Sequence, residues 1–297
     1  MDAVFTVGQY TQVSMILEQL RRYNSTKGQM LDADFPAMRV TGKTALVMGA
    51  GQSPGETIGN GRAIATLLAR EGARVWCADR DLARAEETVA AIVADGGRAQ
   101  AIACDVTNRA DCEAAISAAG AVDILVNNVG IGGKDGPAHN IAEDAFDRIL
   151  AVNLKGVLNG IAAAVPGMRE RKGGAIVSIS SLAGIAGWHM VAYETSKAAV
   201  NRLTQSTALA NAKYGIRVNA VAPGLMDTPM AIDGIARARG LDRETVRAER
   251  AQRVPLLAQM GDAWDTAYAT LFLCSDEAKF VTGVILPVDG GMGARIG

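Results

Sequence analysis

Tyr193 and Lys197 stand four residues apart in the run Y-E-T-S-K, shortly after the serine pair Ser180-Ser181. The stretch Tyr193–Tyr214 reads as a helix that runs to Gly215, a suitable C-terminal stop. Residues at i and i+4 share one helix face. An ammonium beside a phenol favours the phenolate and lowers a pKa that is normally about 10. Such a phenol can give or take a proton near neutral pH. A glycine-rich turn lies far upstream, so the pair points to hydride chemistry on a carbonyl or an alcohol.

Positioning those groups requires a scaffold, and the chain carries one. Short β-rich runs at Thr44–Met48, Arg74–Ala78, Ala99–Ala103, Asp123–Asn127, Ala175–Ile179, Arg217–Ala222 and Val284–Val288 alternate with longer helical stretches. Leu82–Val93 and Ala142–Met168 are the clearest helices besides Tyr193–Tyr214. Several strands are continuously apolar, as parallel strands covered on both faces must be. This alternation predicts an α/β fold with one doubly wound sheet, in a single domain over residues 41–297. Residues 1–40 break the rhythm. Tyr10, Val13, Ile16, Leu17 and Leu20 form an apolar stripe, which predicts a partly helical N-terminal arm.

The first strand runs into G-A-G-Q-S-P-G-E-T-I-G-N-G at residues 49–61. Gly49, Gly59, Asn60 and Gly61 lie where a tight turn brings backbone N–H groups and a helix N-terminus to a pyrophosphate. A second strand ends at Asp79, whose carboxylate can accept from ribose hydroxyls and repel a 2′-phosphate. Arg80 follows and could instead pair with that phosphate, so NAD is preferred and NADP is the lesser expectation. Asp105-Val106 and Asn128-Val129-Gly130 follow the third and fourth strands, on the same edge of the sheet, where adenine and ribose contacts fall.

Bulk properties narrow the class. The chain has 297 residues, 49% of them hydrophobic, and a net charge of −1. There is no basic block, so no nucleic-acid partner is expected. No apolar run long enough for a membrane span and no leader pattern are read. The four cysteines show no metal spacing and suit a reducing cytoplasm. No G-x-S-x-G elbow suggests a hydrolase.

From about residue 41 to residue 297 the chain resembles the short-chain dehydrogenase/reductase superfamily. The matching pieces are the turn ending G-N-G, Asp79, Asp105-Val106, N-N-V-G, Asn153 in V-N-L-K-G, S-I-S-S-x-A-G, Y-E-T-S-K, V-A-P-G-L-M-D-T-P and V-D-G-G-M. The resemblance implies a seven-stranded Rossmann sheet, a homotetramer or homodimer, and NAD(P)-dependent oxidation of an alcohol or reduction of a ketone. It implies that Tyr193 exchanges the proton and that Lys197 bonds the nicotinamide ribose. It implies that Ser181 holds the substrate oxygen and that Asn153 holds a relay water. Pro223, Gly224, Leu225 and Thr228 would span the nicotinamide, although Thr228 could equally be a helix N-cap.

Two departures stand out. The glycine loop is six residues longer than the commonest family pattern, which places Gln52–Thr57 near the phosphates or the cleft mouth. The spacing to Tyr193 selects Ser180, whereas the S-S-x-A-G frame selects Ser181, and the frame is preferred. Trp188, His189, Met190 and Met226 are expected to line a pocket for a bulky or aromatic substrate. Residues 225–261 should form a helical lid, with its arginines on a solvated face. Two rival readings are an NADPH-dependent 3-oxoacyl-thioester reductase, which Asp79 disfavours, and a non-catalytic dinucleotide-binding regulator, which would usually lack Tyr193 or Lys197.

Overall fold

The computed structural model describes residues 38–295. The expected N-terminal arm therefore lies almost wholly outside the described residues. Seven strands form one parallel sheet: β1 (Thr44–Met48), β2 (Arg74–Asp79), β3 (Arg98–Ala103), β4 (Ile124–Asn127), β5 (Gly174–Ile179), β6 (Ile216–Pro223) and β9 (Ile285–Val288). Their order is β3-β2-β1-β4-β5-β6-β9. Val47 sits opposite Cys77 on one side and Val126 on the other, so β1 is an interior strand. All five residues of β1 are buried, which explains the apolar run Ala45–Met48 within it.

Helices α1 (Asn60–Arg70), α2 (Leu82–Ala94) and α9 (Ala263–Cys274) cover one face, around Ile64, Leu68, Ile92 and Leu271. Helices α3 (Arg109–Ala119), α5 (Gly156–Glu170) and α6 (Val191–Asn211) cover the other, around Leu46, Leu125, Met168 and Ile176. The fold is a three-layer α/β/α Rossmann sandwich. Chain order reverses between β1 and β4, which opens a crevice at their carboxyl ends.

The helix expected over Ala142–Met168 is α4 (Glu143–Leu150), a π-helical turn (Ala151–Lys155) and α5. A π turn lodges an extra residue in a helix and is common at functional sites. Here it centres on Asn153. The continuous helix Glu143–Glu170 is long and apolar enough to cross a membrane, but half of its most apolar window is buried inside the sandwich. Its apolar face is therefore already used by the core. Between β7 (Met226–Asp227) and β8 (Gly261–Asp262), which pair in parallel, lie α7 (Asp233–Arg239) and α8 (Arg243–Ala251). Ile232, Ala236 and Val246 give this excursion a small core of its own. The Asp262 side chain caps α9 in a reciprocal box with Asp265.

Candidate active site

The site begins with a steric lock at the crevice. Gly49 has φ +81°, and a Cβ there would meet Val129 at 2.8 Å. A Cβ on Gly61 would lie 1.9 Å from the Gly49 carbonyl oxygen. Asn128 braces the same oxygen, with Nδ2 donating to it at 2.8 Å. The ends of β1 and β4 and the start of α1 therefore interlock at full contact. No side chain caps α1, because its N-cap is Gly59. Asn60 Oδ1 and Thr57 Oγ1 are buried without hydrogen-bond partners. Uncapped helix N–H groups and spare polar atoms beside a glycine turn fit a dinucleotide pyrophosphate.

The extra loop residues are stapled from within. Gln52 Nε2 donates to the Thr57 carbonyl at 3.2 Å, and Gln52 Oε1 accepts from Gly59 N at 3.2 Å. The loop also reaches the 225–261 segment. Arg243 bridges Glu56 of the loop and Asp233 of α7, the latter at 2.9 Å. This latch was not visible in the sequence, because ion pairs between distant segments leave no local spacing.

Asp79 ends β2 with both oxygens engaged, accepting from Gly51 N and from Asp81 N at 3.1 Å each. It is half-buried against the glycine loop, while Arg80 is exposed. Asp105 is exposed, and its Oδ1 accepts from the backbone and hydroxyl of Thr107, closing a turn. Val106 is buried and meets Gly156, where a Cβ would clash at 2.7 Å. Gly130 leaves 3.2 Å between its absent Cβ and Lys197 Nζ.

Asn153 is fully buried in the π turn. Its Oδ1 accepts from Ile131 N at 2.8 Å, and its Nδ2 donates to Ile131 O at 2.9 Å and to Ser196 Oγ at 3.1 Å. The side chain thus ties the segment after β4 to the helix bearing Tyr193 and Lys197. That leaves a spare Oδ1 lone pair and the backbone carbonyl as the groups with which Asn153 can hold water.

Lys197 is 2% exposed, and its Nζ donates to the Ile179 carbonyl at 2.8 Å. Burial pulls its pKa down to about 8. Nζ lies 5.7 Å from the centroid of the Tyr193 ring. The expected acidification of the phenol by this ammonium is not what dominates. Burial raises the Tyr193 pKa, while hydrogen bonding with the Ser181 side chain and the charge of Arg250 lower it. The ammonium is turned to a strand carbonyl, so desolvation of the phenolate prevails.

The two serines part company. Ser180 Oγ is buried and donates to Asn201 Oδ1 at 2.6 Å, away from the phenol. Ser181 has an extended backbone, φ −166°, and faces Tyr193. Two acidic residues that sequence reading missed hold the start of α6. Asp135 Oδ2 accepts from Tyr193 N at 2.8 Å, and Asp135 Oδ1 accepts from Ala192 N at 3.2 Å. Glu194 accepts from the backbone N–H groups of Trp188 and Met190. Carboxylates at a helix N-terminus meet unpaired N–H groups and the positive end of the dipole.

Trp188 and Met190 are half-buried, whereas His189 is exposed with φ +60°. Met226 is buried, its sulfur against Gly261. A Cβ on Gly224 would meet Asp289 at 2.8 Å, so β6 and the chain after β9 run in close contact there. Leu225 and Thr228 are buried. Helix α7 starts at Asp233 with Ile232 at its N-cap, so Thr228 does not cap it.

The arginines of the lid region correct an expectation. Arg237, Arg239 and Arg253 are exposed, but Arg243, Arg247 and Arg250 are half-buried on the inner side. Arg247 pairs with Asp227 at 2.7 Å. The spacing was compatible with a solvated face because α8 carries only one buried apolar residue, Val246, to mark its inner side. No cluster of metal-ligating side chains occurs among the described residues.

The family model described as Enoyl-(Acyl carrier protein) reductase matches residues 56–293. A 2-(S)-hydroxypropyl-CoM dehydrogenase of Xanthobacter autotrophicus is 41% identical over 243 residues, 80% of this chain and 93% of the relative. The levodione reductase structure superposes with a TM-score of 0.81 at 32% identity, covering 87% of this chain and 100% of that one; the levodione reductase of Leifsonia aquatica is among the curated relatives. A 3-oxoacyl-[acyl-carrier protein] reductase from Brucella melitensis holds NAD (TM-score 0.76, 34% identity, 86% and 92% covered). A neighbour from Agrobacterium tumefaciens holds NADP (TM-score 0.75, 34% identity, 88% and 100% covered). With this sheet order, this glycine turn and these relatives, the chain belongs to the short-chain dehydrogenase/reductase family and is an NAD(P)-dependent oxidoreductase acting on alcohols or ketones.

Proposed function

We propose that the chain transfers hydride reversibly between NAD and a bulky or aromatic secondary alcohol or ketone, with Tyr193 as general acid/base. The convergence of Ser181, Tyr193 and Lys197 at one end of β5 and α6 carries this reading. The bound dinucleotide supplies a hydride acceptor or donor. In alcohol oxidation Tyr193 takes the hydroxyl proton, and in ketone reduction it returns one to the carbonyl oxygen. Ser181 holds that oxygen as its charge changes. Lys197 is nearly buried with three donors, one already spent on Ile179, and the others are available to ribose hydroxyls. Asn153 positions this group through Ile131 and Ser196 and can hold a relay water. Gly49, Gly59, Asn60, Gly61, Asn128, Val129 and Gly130 frame the phosphates and ribose, with Asp105, Val106, Pro223, Gly224, Leu225 and Thr228 around the remaining rings.

Asp79 supports NAD over NADP. Its carboxylate faces the glycine loop, and Arg80 points to solvent beside it. Trp188, Met190 and Met226 support a large apolar substrate, with His189 at its rim. Four buried free cysteines support a reducing, cytoplasmic setting. Exposed Leu158 and Leu209, on neighbouring helices α5 and α6, support a homodimer or homotetramer. The reading is tested by following 340 nm absorbance with NAD or NADP across a panel of secondary alcohols. Oxidation with NAD and little with NADP is expected. No turnover across the panel despite tight NAD binding would favour a non-catalytic binding protein.

A further inference from the structure

The structure assigns Arg250 as the anchor for a compact oxyanion, a carboxylate or sulfonate, carried by the substrate itself. This deepens the function proposed above and rests on it.

Arg250 lies near the end of α8, on the inner side of the lid region. Its Nε is buried and has no hydrogen-bond partner among the described residues. No ion pair engages it there, in contrast to three other arginines of the lid region. Arg239 pairs with Glu249, Arg243 with Asp233 and Glu56, and Arg247 with Asp227 and Glu244. Arg250 and Tyr193 are near enough for the guanidinium charge to act on the phenol, which puts Arg250 on the Tyr193 side of the lid region.

A guanidinium keeps its charge at any physiological pH. Keeping its Nε away from water without a partner is unfavourable unless an acceptor arrives. Three titratable groups face it. Asp227 attracts it but is already held by Arg247, Arg253 repels it, and Tyr193 is neutral at pH 7 because burial raises its pKa. An oxyanion on the substrate would fill the vacant donor and bind in the forked geometry that guanidinium favours. It would also fix which carbonyl presents itself to Tyr193. The competing assignment is a structural charge that answers Asp227 through solvent.

The test uses matched ketones. Acetophenone is compared with 3- and 4-acetylbenzoate, and pentan-2-one with 4-oxopentanoate, under NADH in the full chain and in Arg250→Gln and Arg250→Lys. The wild-type protein should favour at least one acid over its neutral partner by about 10- to 100-fold in kcat/KM. Arg250→Gln should erase that ratio, and Arg250→Lys should restore part of it. If wild type favours the neutral ketones, or the ratio survives in Arg250→Gln, the assignment is wrong. Calorimetry on the NAD complex with benzoate and benzamide, which are unreactive, separates this from the hydride reading. Tighter benzoate binding in wild type only supports the anchor even if no ketone is reduced. Equal affinities overturn it even if ketones are reduced.

Discussion

Replacing Lys197 by Met removes a charge that the fold holds against its own preference. The pKa of Lys197 falls from 10.5 to about 8 because the residue is buried. Between these values the unfolded chain binds the proton and the folded chain does not. Stability relative to the Met variant therefore rises as pH increases through that window. Holding the lysine proton in the fold costs about 3 kcal/mol at pH 7, and the cost falls to only about 1 kcal/mol at pH 9.5. Packing and the lost bond to Ile179 change little with pH and cancel in the comparison. Urea unfolding of both proteins without cofactor, at pH 7 and pH 9.5, should show the wild type gaining about 2 kcal/mol on Lys197→Met. A gain below about 0.5 kcal/mol, or one of opposite sign, would refute the claim that Lys197 is charged and desolvated.

Other substitutions separate the remaining roles. Gly61→Ala should abolish NAD binding in a titration, since its Cβ would lie 1.9 Å from the Gly49 oxygen and force the turn open. Ser181→Ala should lower kcat by about 10²- to 10³-fold with little change in melting temperature. Ser180→Ala should instead lower stability by about 1 kcal/mol, because half-buried Asn201 loses its donor. Asp79→Ala should raise NADP affinity relative to NAD in a fluorescence titration.

Much of this architecture was legible because parallel strands covered on both faces must be apolar throughout. Thr44–Met48 matched residue for residue, and the other six strands agreed within one residue at each end. Helices α3 and α9 were harder to see. The inner face of α3 is Cys112, Ala115 and Ala119, too small to stand out from its surroundings. Tyr193 and Lys197 could be paired from spacing because one helix carries them, whereas spacing pointed to Ser180 and only the S-S-x-A-G frame of the family resemblance pointed to Ser181. Asp135 and Glu56 could not, because each meets its partner across tens of residues through contacts that only folding creates. The phenol's environment was also misjudged. An i, i+4 cation suggested acidification, yet the ammonium bonds Ile179 and burial outweighs it.

The account turns on the proton held by Tyr193. Tyr193→Phe keeps the ring and removes the hydroxyl, so stopped-flow reduction of NAD by the fastest alcohol of the panel isolates that proton. The expected result is a fall of about 10²- to 10⁴-fold in rate with NAD affinity unchanged. A variant that reduces NAD within a few-fold of the wild-type rate would place the proton transfer on another group and contradict the mechanism.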